Sequence, residues 1–251
     1  MDTDLRELLN SWPYDSEDPS NNYRRLTGND GRLVIQVREP LGVQQMEYEG
    51  RPDGSRPHDH ATWLEYYQEM AKDRPFFQLG HDDCQNLMQE GVLFYQRYLV
   101  LYQMDDWEGV ARDTGRNLEY FDFLKEYARH REDHLMVEQY RPYVMRMNAV
   151  AKSQLIWIAG NFDAALGMLK GAVVALQRLE PVPTQVFTME LERSVKHLKE
   201  LIGEFEKKRP EGRLEVLRRE QTEAIRRQDF ERAASIRDEI RRIEGGVASK
   251  N

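Results

Sequence analysis

Two stretches of this chain repeat one pattern at a fixed distance. "LYQMDDWEGVARDTGRNL" and "IWIAGNFDAALGMLKGAV" align at a constant offset of 55 residues, which sets Asp106-Trp107-Glu108 on Asn161-Phe162-Asp163. The chemistry at both points is that of a helix start. Asp or Asn caps free amides, the acid two places on faces the positive end of the helix dipole, and the aromatic packs back across the turn. Around these points apolar residues recur at three- and four-residue spacing, in "CQNLMQEGVLFYQRYLVLYQM", "DWEGVARDTGRNLEYFDFLKEYA", "HLMVEQYRPYVMRMNAVAKSQLIWIAG" and "NFDAALGMLKGAVVALQRL". The pattern predicts two antiparallel helical hairpins in succession. Pro142 should kink or divide the third segment.

These hairpins resemble tetratricopeptide-type repeats, as degenerate members, because the 55-residue offset exceeds the usual ~34. After the proline break "PVPTQVFT", "MELERSVKHLKELIGEFEKK" predicts one more amphipathic helix, with Leu191, Val195, Leu198 and Ile202 on one stripe. The first eighty residues read differently. "SWPYDSEDPSNN" is rich in turn formers and predicts irregular structure. "RLVIQVRE" alternates as a strand does, with Leu33, Ile35 and Val37 opposite Val34, Gln36 and Arg38. "VQQMEYE" resumes the extended pattern after Pro40 and Gly42, so a β-hairpin or short meander is expected. "GRPDGSRPHDH" is a loop, and "ATWLEYYQEMAK" a short helix ended by Pro75.

Composition narrows the class. Charged residues make up 32% of the chain and apolar ones 40%, with a formal net charge of −8, which describes a soluble and rather hydrophilic protein. Residues 207–242 hold twelve Lys and Arg against eight Asp and Glu, a balance of +4 that leaves −12 elsewhere. The acidic body argues against general nucleic-acid binding, and the tail interleaves acids with its arginines without alternating aromatics. Cys84 is the single cysteine, so the expected compartment is reducing. The acidic start lacks the order of a signal peptide, and no apolar run approaches the ~20 residues of a membrane span. The expectation is a cytoplasmic protein.

The tail keeps Phe230, Ala233, Ile236, Ile240 and Ile243 in strict order among its charges. Their spacings of 3, 3, 4 and 3 make a narrow seam on one side of a helix. Leu214, Leu217, Ala224 and Ile225 offer a matching stripe on a preceding helix, and the start signature recurs a third time as Asp229-Phe230-Glu231. Glu223 with Arg227, and Asp238 with Arg242, are favourable i,i+4 pairs. A hairpin under ~40 residues seldom stands alone without a staple, metal or partner, so other helices must complete its seam, from this chain or another. "LRREQTEAIRRQDFERAASIRDEIRRIE" resembles the UVR motif, the helical hairpin of the excision-repair proteins UvrB and UvrC. Ala224, Asp229, Phe230, Glu231, Ala233, Ala234, Arg237, Asp238 and Ile240 carry the likeness. The resemblance implies a coiled-coil-like protein-interaction element, pairing with a second hairpin into a four-helix arrangement. It also implies a bacterial setting, and leaves open excision repair and protein quality control. The chain has no GxxxxGK[ST] phosphate loop, helicase motif or nuclease segment.

Three clusters bear on chemistry. "HDDC", residues 81–84, gathers potential ligands, yet adjacent helical side chains diverge and Asp82 or Asp83 is placed to cap a helix. "HREDH" sets His130 and His134 on one helical face without a third ligand, which predicts a solvated helix end. Arg51, Arg56, His58 and His60 share the loop 50–60, where an anion could be held. We therefore expect a mainly α protein in three parts. These are an N-terminal region with short strands (1–80), a helical-repeat domain (81–208) and a UVR-like hairpin (210–245). It is expected to be a non-catalytic adaptor without cofactor or metal, binding a protein partner or a second copy through Leu217, Phe230, Ala233, Ile236 and Ile240. The competing expectation is an anion- or nucleotide-binding protein or enzyme using Arg51 to His60.

Overall fold

The structure, a computed structural model, describes residues 4–211 and 213–248. The chain divides into two compact units, Met1–Gly203 and Glu204–Asn251. The first holds a three-stranded antiparallel sheet, β1 (Tyr23–Thr27), β2 (Leu33–Glu39) and β3 (Gly42–Glu47), in the order β1-β2-β3. Ahead of it lies α1 (Arg6–Ser11). After it come α2 (Trp63–Asp73), α3 (His81–Gln103), α4 (Trp107–Tyr127), α5 (Arg131–Glu138), α6 (Arg141–Ile158) and α7 (Phe162–Gln177). The long α8 (Gln185–Lys208) runs to the end of this unit, its last residues belonging to the second, which contains α9 (Arg213–Arg226) and α10 (Phe230–Ala248). The expected mainly α class with a small N-terminal sheet is what the chain adopts.

The helices pair as the 55-residue echo requires: α3 with α4, α6 with α7, and α4 against α6 between the two hairpins. Pro142 divides the third segment. It occupies the first turn of α6, where a missing N–H breaks no helical bond. Buried residues from α2 to α6, including Leu79, Leu87, Phe121, Leu124 and Val144, form one core. Ile35, Val37 and Met46 of the sheet close a second core with Leu101, Val110 and Ala151. The alternation of β2 thus places Ile35 and Val37 inward, but its other face is covered as well. There Arg24 donates to Gln36 at 2.8 and 2.6 Å. Arg38 donates to the Trp12 carbonyl at 2.7 Å, and Trp12 lies under the Arg24 guanidinium. The meander gains β1 because "YRRLT" pairs Arg25 with Ile35, a strand whose two central arginines hide its alternation.

One turn occurs three times. A helix ends in a residue with left-handed backbone, Asp105 (φ 54°), Gly160 (φ 80°) or Gln228 (φ 61°). The next amide closes a six-residue loop: Asp106 to the Leu101 carbonyl at 2.9 Å, Asn161 to Ile156 at 3.1 Å, Asp229 to Ala224 at 2.9 Å. That same residue's side chain caps the following helix, accepting from Gly109 at 2.9 Å, Ala164 at 3.4 Å and Arg232 at 3.1 Å. In the first unit the next aromatic stacks edge-on across the turn, Trp107 on Tyr102 at 5.2 Å and Phe162 on Trp157 at 4.7 Å. The equivalent third pair is Phe230 and Ile225.

A different left-handed residue serves no contact. The Phe77 amide donates to the Arg74 carbonyl at 3.2 Å, with Pro75 and Phe76 between them, and Phe76 has φ 64°. This is a type II turn whose third position favours glycine, yet it holds a wholly exposed phenylalanine. Phe76→Gly should stabilise the chain by about 0.5–1 kcal/mol by relieving that backbone, read as a raised denaturation midpoint. A lowered midpoint contradicts the assignment.

Candidate functional site

The C-terminal hairpin is built on its seam. Leu217 of α9 packs with Ile236 and Ile240 of α10 as one cluster of buried side chains. Ala224 and Ala233, beside the turn, are buried as well. Phe230 differs: it is 68% exposed, and Ile225 across the turn is 52% exposed. Of the five residues expected to meet a partner, four therefore line the hairpin's interior and one stands on its surface. The side chains of Leu214 and Ile243 lie outside the described residues. Glu223 and Arg227 form the expected i,i+4 pair at 2.8 Å. Asp238 instead pairs with Arg237 at 2.9 Å, and Arg242 reaches only the Asp238 carbonyl.

Arg51, Arg56 and His60 of the loop 50–60 find polar partners within the chain, some in the loop and some on α2 and α3. Arg51 donates to Asp53 at 2.9 and 3.1 Å and to Glu90 at 3.0 Å. Burial raises the Asp53 pKa, but hydrogen bonds from Arg51 and Ser55 outweigh it and hold the carboxyl below its usual range. Arg56 donates to the Asp59 carbonyl at 3.1 Å, and His58 stacks on Tyr66 at 4.3 Å. His60 contacts the His58 carbonyl at 2.7 Å and Glu69 at 2.6 Å. The four residues do not converge on one anion pocket, and Arg51 turns into a buried network instead.

The Glu69 carboxylate, then the His58 carbonyl, hold the His60 imidazole above its usual pKa. A folded-state pKa above the unfolded one gives a contribution fully present below about pH 6.5 and lost as pH rises through the folded value. NMR titration of His60 should show that raised midpoint, with the loop amides shifting together as the ring deprotonates. In Glu69→Gln the midpoint should fall back toward the ordinary histidine value.

The network that receives Arg51 was not legible as a site. Glu90, fully buried on α3, accepts from Arg51, from Arg116 of α4, and from the first amides of α2, Trp63 at 2.8 Å and Leu64 at 3.4 Å. It thus sits as an anion on a helix N-terminus. Arg97 grips Asp113 through Nε at 2.6 Å and Nη2 at 2.8 Å, and its Nη1 holds the Glu47 and Gly50 carbonyls at 2.8 Å each. Arg112 reaches Asp113 at 2.9 Å and the Tyr48 carbonyl at 2.8 Å. Asp106, beyond its capping role, accepts from Tyr48 at 2.8 Å and pairs with Arg25. Buried charge therefore fastens the sheet and its exit loop to α3 and α4. The available signal was the placing of Glu90 and Arg97, and of Arg112, Asp113 and Arg116, within otherwise amphipathic helices.

The metal-like clusters disperse. His81 contacts Asp133 at 2.8 Å, and Asp83 caps α3 by accepting from the Gly80 amide at 2.8 Å. Cys84 is buried in the core, where burial pushes its thiol up to about 12, aided by nearby Asp133 and Asp83. His130 and His134 do not share a helical face: α5 begins at Arg131, and His130 is the extended residue before it. The capping position takes His130 out of the helix that spacing alone had assigned to it. His134 contacts Glu138 at 3.3 Å. Among the described residues no group of three or more His, Cys, Asp or Glu is placed to hold a metal ion, and no helix is long and apolar enough to cross a membrane.

No curated protein and no solved structure matches the chain. Residues 211–245 match the family described as UvrB/uvrC motif, and the segment so matched is the α9–α10 hairpin.

Proposed function

We propose that this protein is a non-catalytic adaptor that binds a protein partner through its C-terminal hairpin, with Phe230 as the anchor. The observation that carries the reading is the third copy of the turn. At the first copy Tyr102 and Trp107 pack beside the core formed with the sheet. At the third, Phe230 and Ile225 are left 68% and 52% exposed. Aromatic side chains of this kind are enriched among the few residues that dominate binding energy. Leu217, Ala233, Ile236 and Ile240 supply the spine that presents them, and take part in the contact as its support.

The pairing of the tail's arginines with carboxylates favours a protein over a phosphate backbone. Arg227 and Arg226 are engaged by Glu223, Arg219 by Glu211 and Arg237 by Asp238, so these cations already have anionic neighbours. The domain plan expected from the sequence, 1–80, 81–208 and 210–245, gives such an adaptor a helical scaffold of tetratricopeptide-like hairpins in the same chain as the clip. Helical hairpins in series create grooves suited to peptides or helices. The setting that fits is a bacterial cytoplasm, with excision repair or protein quality control as the process served. Affinity capture from the native cell with the full chain and with a chain lacking residues 210–251 tests the proposal. A protein retained by the first and lost by the second supports it, and identical captures overturn it.

A further inference from the structure

Helix α3 carries two apolar seams, and the chain covers one of them. Cys84, Leu87, Gly91, Phe94, Tyr98 and Leu101 are spaced 3, 4, 3, 4 and 3, and all are buried. Met88, Val92, Tyr95, Leu99 and Tyr102 are spaced 4, 3, 4 and 3 along another side. Val92 is 53% exposed and Tyr95 40%, and the other three are half-buried. An apolar repeat of seven residues keeps one line of a helix against a neighbouring helix. The first seam meets its neighbours inside the chain, Leu87 in the core with Phe121 and Leu124, Leu101 in that with Val110. On the second, the Tyr95 ring touches Tyr98 of α3 itself at 5.4 Å and Tyr143 of α6 at 6.1 Å, edge-on in both cases. These rings steady Tyr95 and still leave it open.

Charge is missing from that open side. From Gln85 to Met104 the charged residues are Glu90 and Arg97, and both are buried. In a chain with 32% charged residues, about five turns of α3 therefore present none to solvent. The polar groups there include Gln89, Gln96 and Gln103, seven residues apart and all exposed. Charged residues are depleted at the centre of contacts between proteins, where tyrosine and methionine are enriched.

Symmetry selects the occupant. A net charge of −8 sets two copies of the chain against each other, and a charged side chain near a two-fold axis meets its own image. A face without charge avoids that repulsion. Glutamine both donates and accepts hydrogen bonds, so it can pair with glutamine. The seam is also balanced about Tyr95: Met88 and Tyr102 lie seven residues to either side, with Val92 three before and Leu99 four after. We propose that α3 pairs antiparallel with α3 of a second copy, with Tyr95 on the two-fold axis. Val92 then packs against Leu99 of the second copy, and Met88 against its Tyr102.

Sedimentation equilibrium of the full chain at micromolar concentrations should give a dimer. Val92→Glu sets a carboxylate on the seam and should raise the dissociation constant about tenfold or more. Gln96→Glu, an exposed site one residue from the axis, should raise it about threefold without moving the denaturation midpoint. High salt should reverse the Gln96→Glu loss, because screening weakens repulsion between like charges and does not repair a damaged fold. Phe230→Ala should leave the dimer as tight as before, which separates the α3 contact from any made by the hairpin. A chain that stays monomeric, an unchanged dissociation constant in either α3 variant, or a dimer lost in Phe230→Ala overturns the proposal.

Discussion

Phe230→Ala should weaken capture of the hairpin's partner by about 2 kcal/mol or more, roughly thirtyfold, while leaving the fold almost untouched. The two effects separate because Phe230 is 68% exposed in the free chain and buries little there. Removal of a surface side chain ordinarily changes stability by about 0.5 kcal/mol or less. Ile236→Ala provides the contrast. Ile236 is 7% exposed and packs with Leu217 and Ile240, so its truncation should cost about 2–4 kcal/mol of folding stability. A dissociation constant measured for each variant, beside its denaturation midpoint, distinguishes an anchor from a spine. Equal affinity of the Phe230→Ala and unaltered chains would remove Phe230 from the contact.

Asp113→Ala should destabilise the first unit by about 3–5 kcal/mol. Asp113 is fully buried and accepts two bonds from Arg97, itself 1% exposed, and one from Arg112. Truncation leaves two guanidinium groups facing an apolar hole, and the cost comes chiefly from the orphaned charge rather than from lost attraction. The loss should spread to the exit of β3, because Arg97 also holds the Glu47 and Gly50 carbonyls. Hydrogen exchange at residues 47–51 should therefore rise more than exchange in α7, which the network does not touch. Replacing both partners, Arg97→Met with Asp113→Leu, should recover most of the stability, since a well-packed apolar pair avoids desolvating two ions. A denaturant midpoint shift worth under about 1 kcal/mol in Asp113→Ala would show that water already compensates the pair.

Several elements were legible because their causes are local. Asp106, Asn161 and Asp229 announce helix starts by a side chain that reaches an amide three residues on. The division at Pro142 follows from the ring itself. "YRRLT" was harder: its strand exists through pairing with β2, and neither Arg24 nor Arg25 advertises that partnership. Arg51 illustrates the limit for sites. Its loop position suggested an anion from solvent, whereas the fold supplies Glu90 from a helix 39 residues away.

The sequence alone determined the helical class, the repeated turn and the two-helix clip at the C-terminus, because capping and periodicity act over one or two helical turns. The tertiary structure decided which members of the apolar line remain outside, and which charges go inside. Those outcomes depend on what arrives from a distance. Glu47 and Gly50 come to Arg97 across 50 and 47 residues, and burial then makes that arginine part of the core. Phe230 stays on the surface since the described chain brings nothing comparable to cover it.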